Sequence, residues 1–362
     1  MMPVLESGQL AAGAKVHALE DAIGSLSSGK EAVAFSNMSM ALTIALEIIG
    51  VGVGDEVLTL SLNCLSSNSP IKNVGATPVW VDVNPQTATM DTEDAERKIT
   101  PRTKAIIVYH VAGYLAETER LRAVCDQAGI ALIEDANAAF GSQYSNGSNA
   151  GSIGDFAVFS FYANRQVNGI EGAALICPNA DTAQRARRLR RYGVDENRFR
   201  DERGEIDPTA DVAEIGYSAS MTNVNAACAL ANLRTLDERM AAVRRNRNLY
   251  NNALKNVEGV DLVAALDGTD PANWVMLLLC ERRDDLLASL KARGIGSSCL
   301  HQPNHIYSGF EGRESSLPGT LHLSQRMIAI PCGWWIDTQT IMQVIQEISA
   351  SINSLALNTR KS

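Results

Sequence analysis

Aromatic residues are scarce, at 5% of the 362 residues. So few rings leave little surface for stacking single-stranded bases. Positive charge is in deficit too, with 32 basic against 41 acidic side chains and a formal net charge of −9. That argues against a broad nucleic-acid or anionic-membrane surface, though not against a local basic pocket. No run reaches the roughly 18 apolar residues that a membrane-spanning helix needs. The opening MMPVLESGQLAAG has no basic stretch followed by an apolar block, so no secretion signal is expected. Cysteines are present but unpatterned. Cys64, Cys125, Cys177, Cys228, Cys280, Cys299 and Cys332 stand far apart with no C-x-x-C pair. An odd, scattered set predicts free thiols in a reducing cytoplasm, without a disulfide frame or a structural zinc. Internal repeats and low-complexity tracts are also missing.

What is there is a large apolar fraction, 46%, beside 20% charged residues. That suffices for a sizeable core and is too much for wholesale disorder. At roughly 100–200 residues per domain the length suggests two domains, here 1–245 and 246–362. Short apolar runs at 31–36, 56–60, 77–83, 104–110, 130–134, 156–161 and 172–177 read as strands. Amphipathic stretches at 39–49, 116–128 and 181–192 read as the helices between them. This alternation predicts an α/β fold with a mostly parallel sheet covered on both faces. Ligands in such sheets bind beyond the carboxyl ends of the strands. Residues 194–213 are charged and carry Pro and Gly, which marks a long surface excursion. The pattern is helical from about 223 to 256, then α/β again, with strands near 259–264 and 274–280 and helices near 284–293 and 338–355. The arginines at 185, 187, 188, 190 and 191 share their helix with an apolar stripe and read as a solvated face.

Several segments recur in a known order. They are SGQLAAGAKVHALEDAI, GVGVGDEVLTLSLNCLSSNSPIKNVGATPVWVDV, TKAIIVYHVAG, IEDANAAFGS, GSIGDFAVFSFYANRQVNGIEGAAL, IGYSASMTNVNAACALANL and IAIPCGWW. In this order the chain resembles, over nearly its whole length, the DegT/StrS family of fold-type I sugar aminotransferases that use pyridoxal phosphate (PLP). The resemblance implies a large domain with a seven-stranded mostly parallel sheet and a small C-terminal α/β domain. It also implies a homodimer, because the family's cofactor sites lie at a dimer interface. Fold alone does not give the reaction.

The family pattern places a PLP-anchoring lysine after the FSF strand, and the matching residue is Arg165. An amine can lose its proton and attack an aldehyde. A guanidinium stays protonated and does not. Other positions depart as well. The ring-stacking aromatic is replaced by Cys64, and the glutamine near the cofactor's phenolic oxygen by Ala138. The Gly-Thr of the phosphate turn is Met38-Ser39, followed by Met40, and the asparagine and arginine of the GYNYRM segment are Ser218 and Ser220. The glycine before the tail glutamate is Ile170. Several losses together imply repurposing of the pocket more than one engineered Lys-to-Arg change.

Asp135 keeps the position of the carboxylate that pairs with the pyridine nitrogen, although a capping carboxylate at a strand end would look the same. Ser39 and Met40 open a helix where a phosphate is favoured, and a plain cap reads alike. Ser160 matches the FSF serine. Arg165 suits bidentate binding of a phosphate or carboxylate. Cys64, His110 and Asp135 could assemble a thiolate, a base and an orienting carboxylate, the alternative being an inert thiol. His301 and His305 fall in the family's substrate loop, either touching substrate or packing it. Tyr162, Asn164, Asn63 and Asn137 add polar lining.

The expected protein is a cytoplasmic biosynthetic enzyme acting on a sugar-nucleotide or secondary-metabolite intermediate. No covalently bound cofactor is expected, with non-covalent PLP or pyridoxamine phosphate (PMP) as a variant. The alternatives are a non-catalytic partner in a heterodimer with an active paralogue, or an ordinary aminotransferase with an engineered arginine.

Overall fold

Two sheets organise the chain, and they bring the ends of the central strands together with loops from the C-terminal half. The computed structural model describes residues 1–310 and 316–359. The elements of the first half are α1 (Met2–Ser7), α2 (Ala14–Leu26), β1 (Glu31–Phe35), α3 (Met38–Ile49), β2 (Glu56–Leu60), α4 (Leu65–Asn73), β3 (Thr77–Val81), α5 (Thr92–Lys98), β4 (Thr103–Tyr109), α6 (Thr118–Ala128), β5 (Ala131–Asp135), β6 (Phe156–Ser160) and β7 (Ala173–Cys177). Then follow α7 (Ala180–Leu189), α8 (Asn223–Leu233), α9 (Leu236–Leu254), β8 (Asp261–Leu262), β9 (Val275–Leu279), α10 (Arg283–Ala292), α11 (Pro318–Arg326), β10 (Met327–Pro331) and α12 (Thr338–Thr359).

The large sheet has the order β1-β7-β6-β5-β4-β2-β3. Neighbours from β6 through β5, β4 and β2 to β3 run parallel, while β7 runs against both β1 and β6. Strands β2, β6 and β7 are buried at every residue. That is why they read as continuous apolar runs with no polar alternation. One face packs Leu42, Ile44 and Leu46 of α3 on Val57, Ile107, Ile133 and Val158. The other is covered by Leu121 and Cys125 of α6 on Ile106 and Leu132, and by Leu19 and Ile23 of α2 on Ala157 and Phe159.

The small sheet is antiparallel, in the order β10-β9-β8. Leu286 and Leu290 of α10 and Ile341 and Ile348 of α12 cover one face, while Leu277 and Met327 join the core of the large sheet. The division drawn at 245/246 falls inside α9, whose buried Val243, Tyr250 and Leu254 all belong to the C-terminal core.

The helical pattern from 223 to 256 is two helices, broken between Leu233 and Leu236. The excursion 194–213 is irregular, its turns held by Asp195, Asp201 and Asp207 carboxylates that accept backbone N–H groups. The arginine run departs from a solvated face: Arg191 is exposed, but Arg185, Arg187 and Arg188 are half-buried. Arg190 is buried, bonded to Glu20 and to the Ala34 carbonyl. All seven cysteines are free. No helix among the described residues is long and apolar enough to cross a membrane.

Candidate functional site

Strands β4, β5 and β6 end side by side in the middle of the large sheet, where a doubly wound sheet leaves its crevice. Tyr109, the last residue of β4, lies in register with Asp135, the last residue of β5. Both are fully buried. Asp135 Oδ1 accepts the side-chain N–H of Asn137 at 2.7 Å and its backbone N–H at 3.3 Å, and Oδ2 accepts from Asn63 at 3.5 Å. Burial pushes the Asp135 pKa above the ordinary carboxylate value, and the Asn137 and Asn63 hydrogen bonds hold it back.

Arg165 follows β6 on an irregular turn and is only 9% exposed. Its Nη2 donates to Asn137 Oδ1 at 2.9 Å, and Nη1 donates to Asn164 Oδ1 at 2.9 Å. The guanidinium lies 4.2 Å over the Trp274 ring. Its Nε is buried with no hydrogen-bond partner, and among the described residues no carboxylate pairs with the group. Burial pulls the Arg165 pKa below its ordinary value, with the nearby Tyr109, Cys64 and Asp135 acting the other way. Asn137 thus bridges the two charged groups. Its amide gives to Asp135 and its carbonyl receives from Arg165, which fixes its orientation.

A loop from the C-terminal half closes over this floor. His301 Nε2 lies 3.3 Å from the Tyr109 hydroxyl. Burial, with the charge of Arg165 adding to it, lowers the His301 pKa to about 4, so this imidazole is neutral near pH 7. The Tyr109 hydroxyl is pushed up by burial and further by the charge of Asp135. His305 Nδ1 lies 2.6 Å from Ser61 Oγ, and burial lowers its pKa as well. Between the two histidines, buried Asn304 donates its amide to the Asn63 carbonyl at 2.8 Å and accepts from Asn68 at 2.8 Å. Asn63 therefore ties the loop to Asp135.

The other expected residues divide. Ser39 stands in the first turn of α3, but its hydroxyl donates to the Ser66 carbonyl at 3.1 Å. The Met40 N–H donates to Asn37 Oδ1 at 3.0 Å, an ordinary helix cap. Ser160 Oγ accepts the Tyr162 N–H at 3.2 Å. Ala138 contributes its carbonyl, which accepts from Gln166 at 3.1 Å. That carbonyl also faces Gly113 (φ +95°), where a Cβ would come within 2.9 Å of it. Tyr162 and Asn164 are exposed. Cys64 is half-buried before α4, and its N–H donates to Asn63 Oδ1 at 2.7 Å.

The arrangement of Cys64, His110 and Asp135 is not assembled. His110 Nε2 lies 3.0 Å from Glu134 Oε2, and its Nδ1 accepts the Ala116 N–H at 3.3 Å. Glu134 also accepts the N–H groups of Gly151, Ile153 and Gly154 and the Tyr144 hydroxyl. Successive strand residues point to opposite faces. One residue before Asp135, Glu134 therefore serves a buried brace on the other side, and His110 is part of it.

Trp274, Tyr109 and Asn304 are what the sequence reading missed. The only signal for Trp274 was an indole among few aromatics. Among the described residues, no group of three His, Cys, Asp or Glu is placed to hold a metal.

The chain is similar to solved structures over almost its full length. AtS13 from Actinomadura melliaura is 33% identical, with 96% of this chain and 94% of that one covered and a TM-score of 0.89. The sugar aminotransferase CalS13 from Micromonospora echinospora is 31% identical, with 96% and 95% covered and a TM-score of 0.90. DesV from S. venezuelae, solved in complex with a ketimine intermediate, is 28% identical, with 96% and 92% covered and a TM-score of 0.89. These matches and the sheet order give the fold-type I architecture. The model of the DegT/DnrJ/EryC1/StrS aminotransferase family matches residues 1–349, and the chain belongs to that family.

Proposed function

We propose that this chain is a biosynthetic enzyme on the sugar-aminotransferase scaffold that holds an anionic small molecule at Arg165 and does not anchor PLP covalently. The observation that carries the reading is the buried guanidinium with only neutral partners and an unsatisfied Nε. A buried, unpaired charge is costly, and a phosphate or carboxylate would offset that cost with a bidentate contact. Asp135, raised by burial, is the group in the floor suited to keep or give a proton, and Asn137 holds it in place.

The residues present do not fit a covalently held PLP. Arg165 cannot supply the amine. Of the eight lysines in the chain, those described make no hydrogen bond to Asp135, Asn137 or Ser160. The Ser39 hydroxyl and the Met40 N–H, expected to meet a phosphate, are spent on Ser66 and Asn37. Non-covalent PLP or PMP becomes one anion to be tested among others. We take the ligand class to be a sugar-nucleotide or secondary-metabolite intermediate, in keeping with the relative described as a sugar aminotransferase. A homodimer is the assembly we propose. Supporting it, Leu65 and Ile170 are 48% and 56% exposed in the segments that carry Cys64 and Arg165.

The test is borohydride treatment of the purified protein with added PLP, followed by peptide mapping and by melting curves with phosphate, PLP, PMP and a sugar nucleotide. No pyridoxyl adduct should form in residues 156–170, and at least one anion should raise Tm. That rise should vanish in Arg165→Gln. An adduct in that stretch would refute the proposal. A stable complex only with a paralogue would favour the heterodimer.

A further inference from the structure

We infer that a cavity beside the small sheet, between Trp274 and Trp335, receives the body of the ligand, and that this body is a flat ring. The inference rests on the reading of Arg165 as an anion anchor. The cavity is a groove open to solvent, of about 410 Å³, a volume within the range of small-molecule sites, roughly 300–1,000 Å³. Asn164 and Trp274 both line it, and both touch the Arg165 guanidinium. The space exists because Gly296, Ser297 and Ser298 carry little bulk.

Trp335 is the unusual wall. It is 63% exposed, yet it is held in place. Its ring sits on Gly333, where a Cβ would come within 2.4 Å of ring atoms. Trp334 meets it edge-on, with centroids 4.7 Å apart and an interplanar angle of 85°. Trp334 is itself fixed under the Arg239 guanidinium at 4.5 Å. An exposed indole of this size with a fixed orientation is a ready stacking surface, since a flat ring that lands on it needs no further ordering of the protein. A buried cation next to one wall and a pinned indole in another select a ligand that has both an acidic end and a flat ring.

The experiment is calorimetric titration of the full chain with three probes: 1-naphthoate, its uncharged counterpart 1-naphthamide, and inorganic phosphate. Wild-type protein should bind naphthoate, and naphthamide at least tenfold more weakly. Trp335→Ala should weaken naphthoate by tenfold or more and leave phosphate unchanged, whereas Trp335→Phe should keep most of the affinity. Circular dichroism checks that the variants are folded. Equal naphthoate affinity in wild type and Trp335→Ala would overturn the inference, as would a wild-type protein that binds phosphate but not naphthoate. Phosphate binding that is identical in wild type and Arg165→Gln would instead sink the anchor reading, and this inference with it.

Discussion

Acidification from pH 7 to 4 should protonate His301 inside the site, and the cost can be worked from its surroundings. The ring is packed under the loop against Tyr109, with the Arg165 charge nearby. Burial first, and that charge second, lower its pKa from 6.5 to about 4. A base with a lowered native pKa binds fewer protons folded than unfolded throughout that window. Its contribution to stability is therefore complete above pH 6.5 and lost as the pH falls through 4. At about 1.4 kcal/mol per pH unit, the loss is about 3 kcal/mol. Carboxylates titrate in the same range, so the comparison is with His301→Gln. Denaturant unfolding at half-unit pH steps should show the stability gap between the two proteins moving by about 3 kcal/mol in favour of the variant between pH 7 and 4. The His301 ring protons should titrate near pH 4 by NMR, and nearer the ordinary value in Arg165→Gln. A gap that stays flat with pH, or a His301 that titrates at 6.5, would refute the reasoning.

Arg165→Gln removes a buried cation that no carboxylate among the described residues pairs with directly. It should stabilise the ligand-free protein by about 1–3 kcal/mol in urea while abolishing stabilisation by anions, and a destabilised variant would contradict the unpaired-charge argument. Ile170 holds a β-branched side chain at φ +71°. Relief of the strain, net of glycine's greater unfolded entropy, should make Ile170→Gly more stable by about 1 kcal/mol, read as a higher Tm. Glu134→Ala leaves three loop amides without an acceptor and His110 without its partner. It should cost about 3–5 kcal/mol, and the milder His110→Asn should lower Tm and leave anion affinity intact. A loss of anion affinity in a folded His110→Asn would return His110 to the site.

The strands of the large sheet could be read from the chain alone because they are short apolar runs. Strands β1 to β7 were visible within two residues because each is a short, mostly buried apolar run, and β2, β6 and β7 are buried at every residue. Helix α4 was not, since Pro70 and six polar residues break its stripe. Nor was β10, whose five residues read as a strand only once β9 lies beside it.

The sequence by itself determined the family, the sheet and the two groups of the floor, Asp135 and the cation at position 165. Motif order and residue chemistry are local, and a guanidinium is no nucleophile in any fold. Only the tertiary structure decided which neighbours those groups have. It turned His110 into a brace for Glu134, brought Asn304 and His301 from 241 and 192 residues away onto Asn63 and Tyr109, and slid Trp274 under Arg165. Partners so distant in the chain are chosen by how the sheets pack, and spacing along the sequence carries no record of that choice.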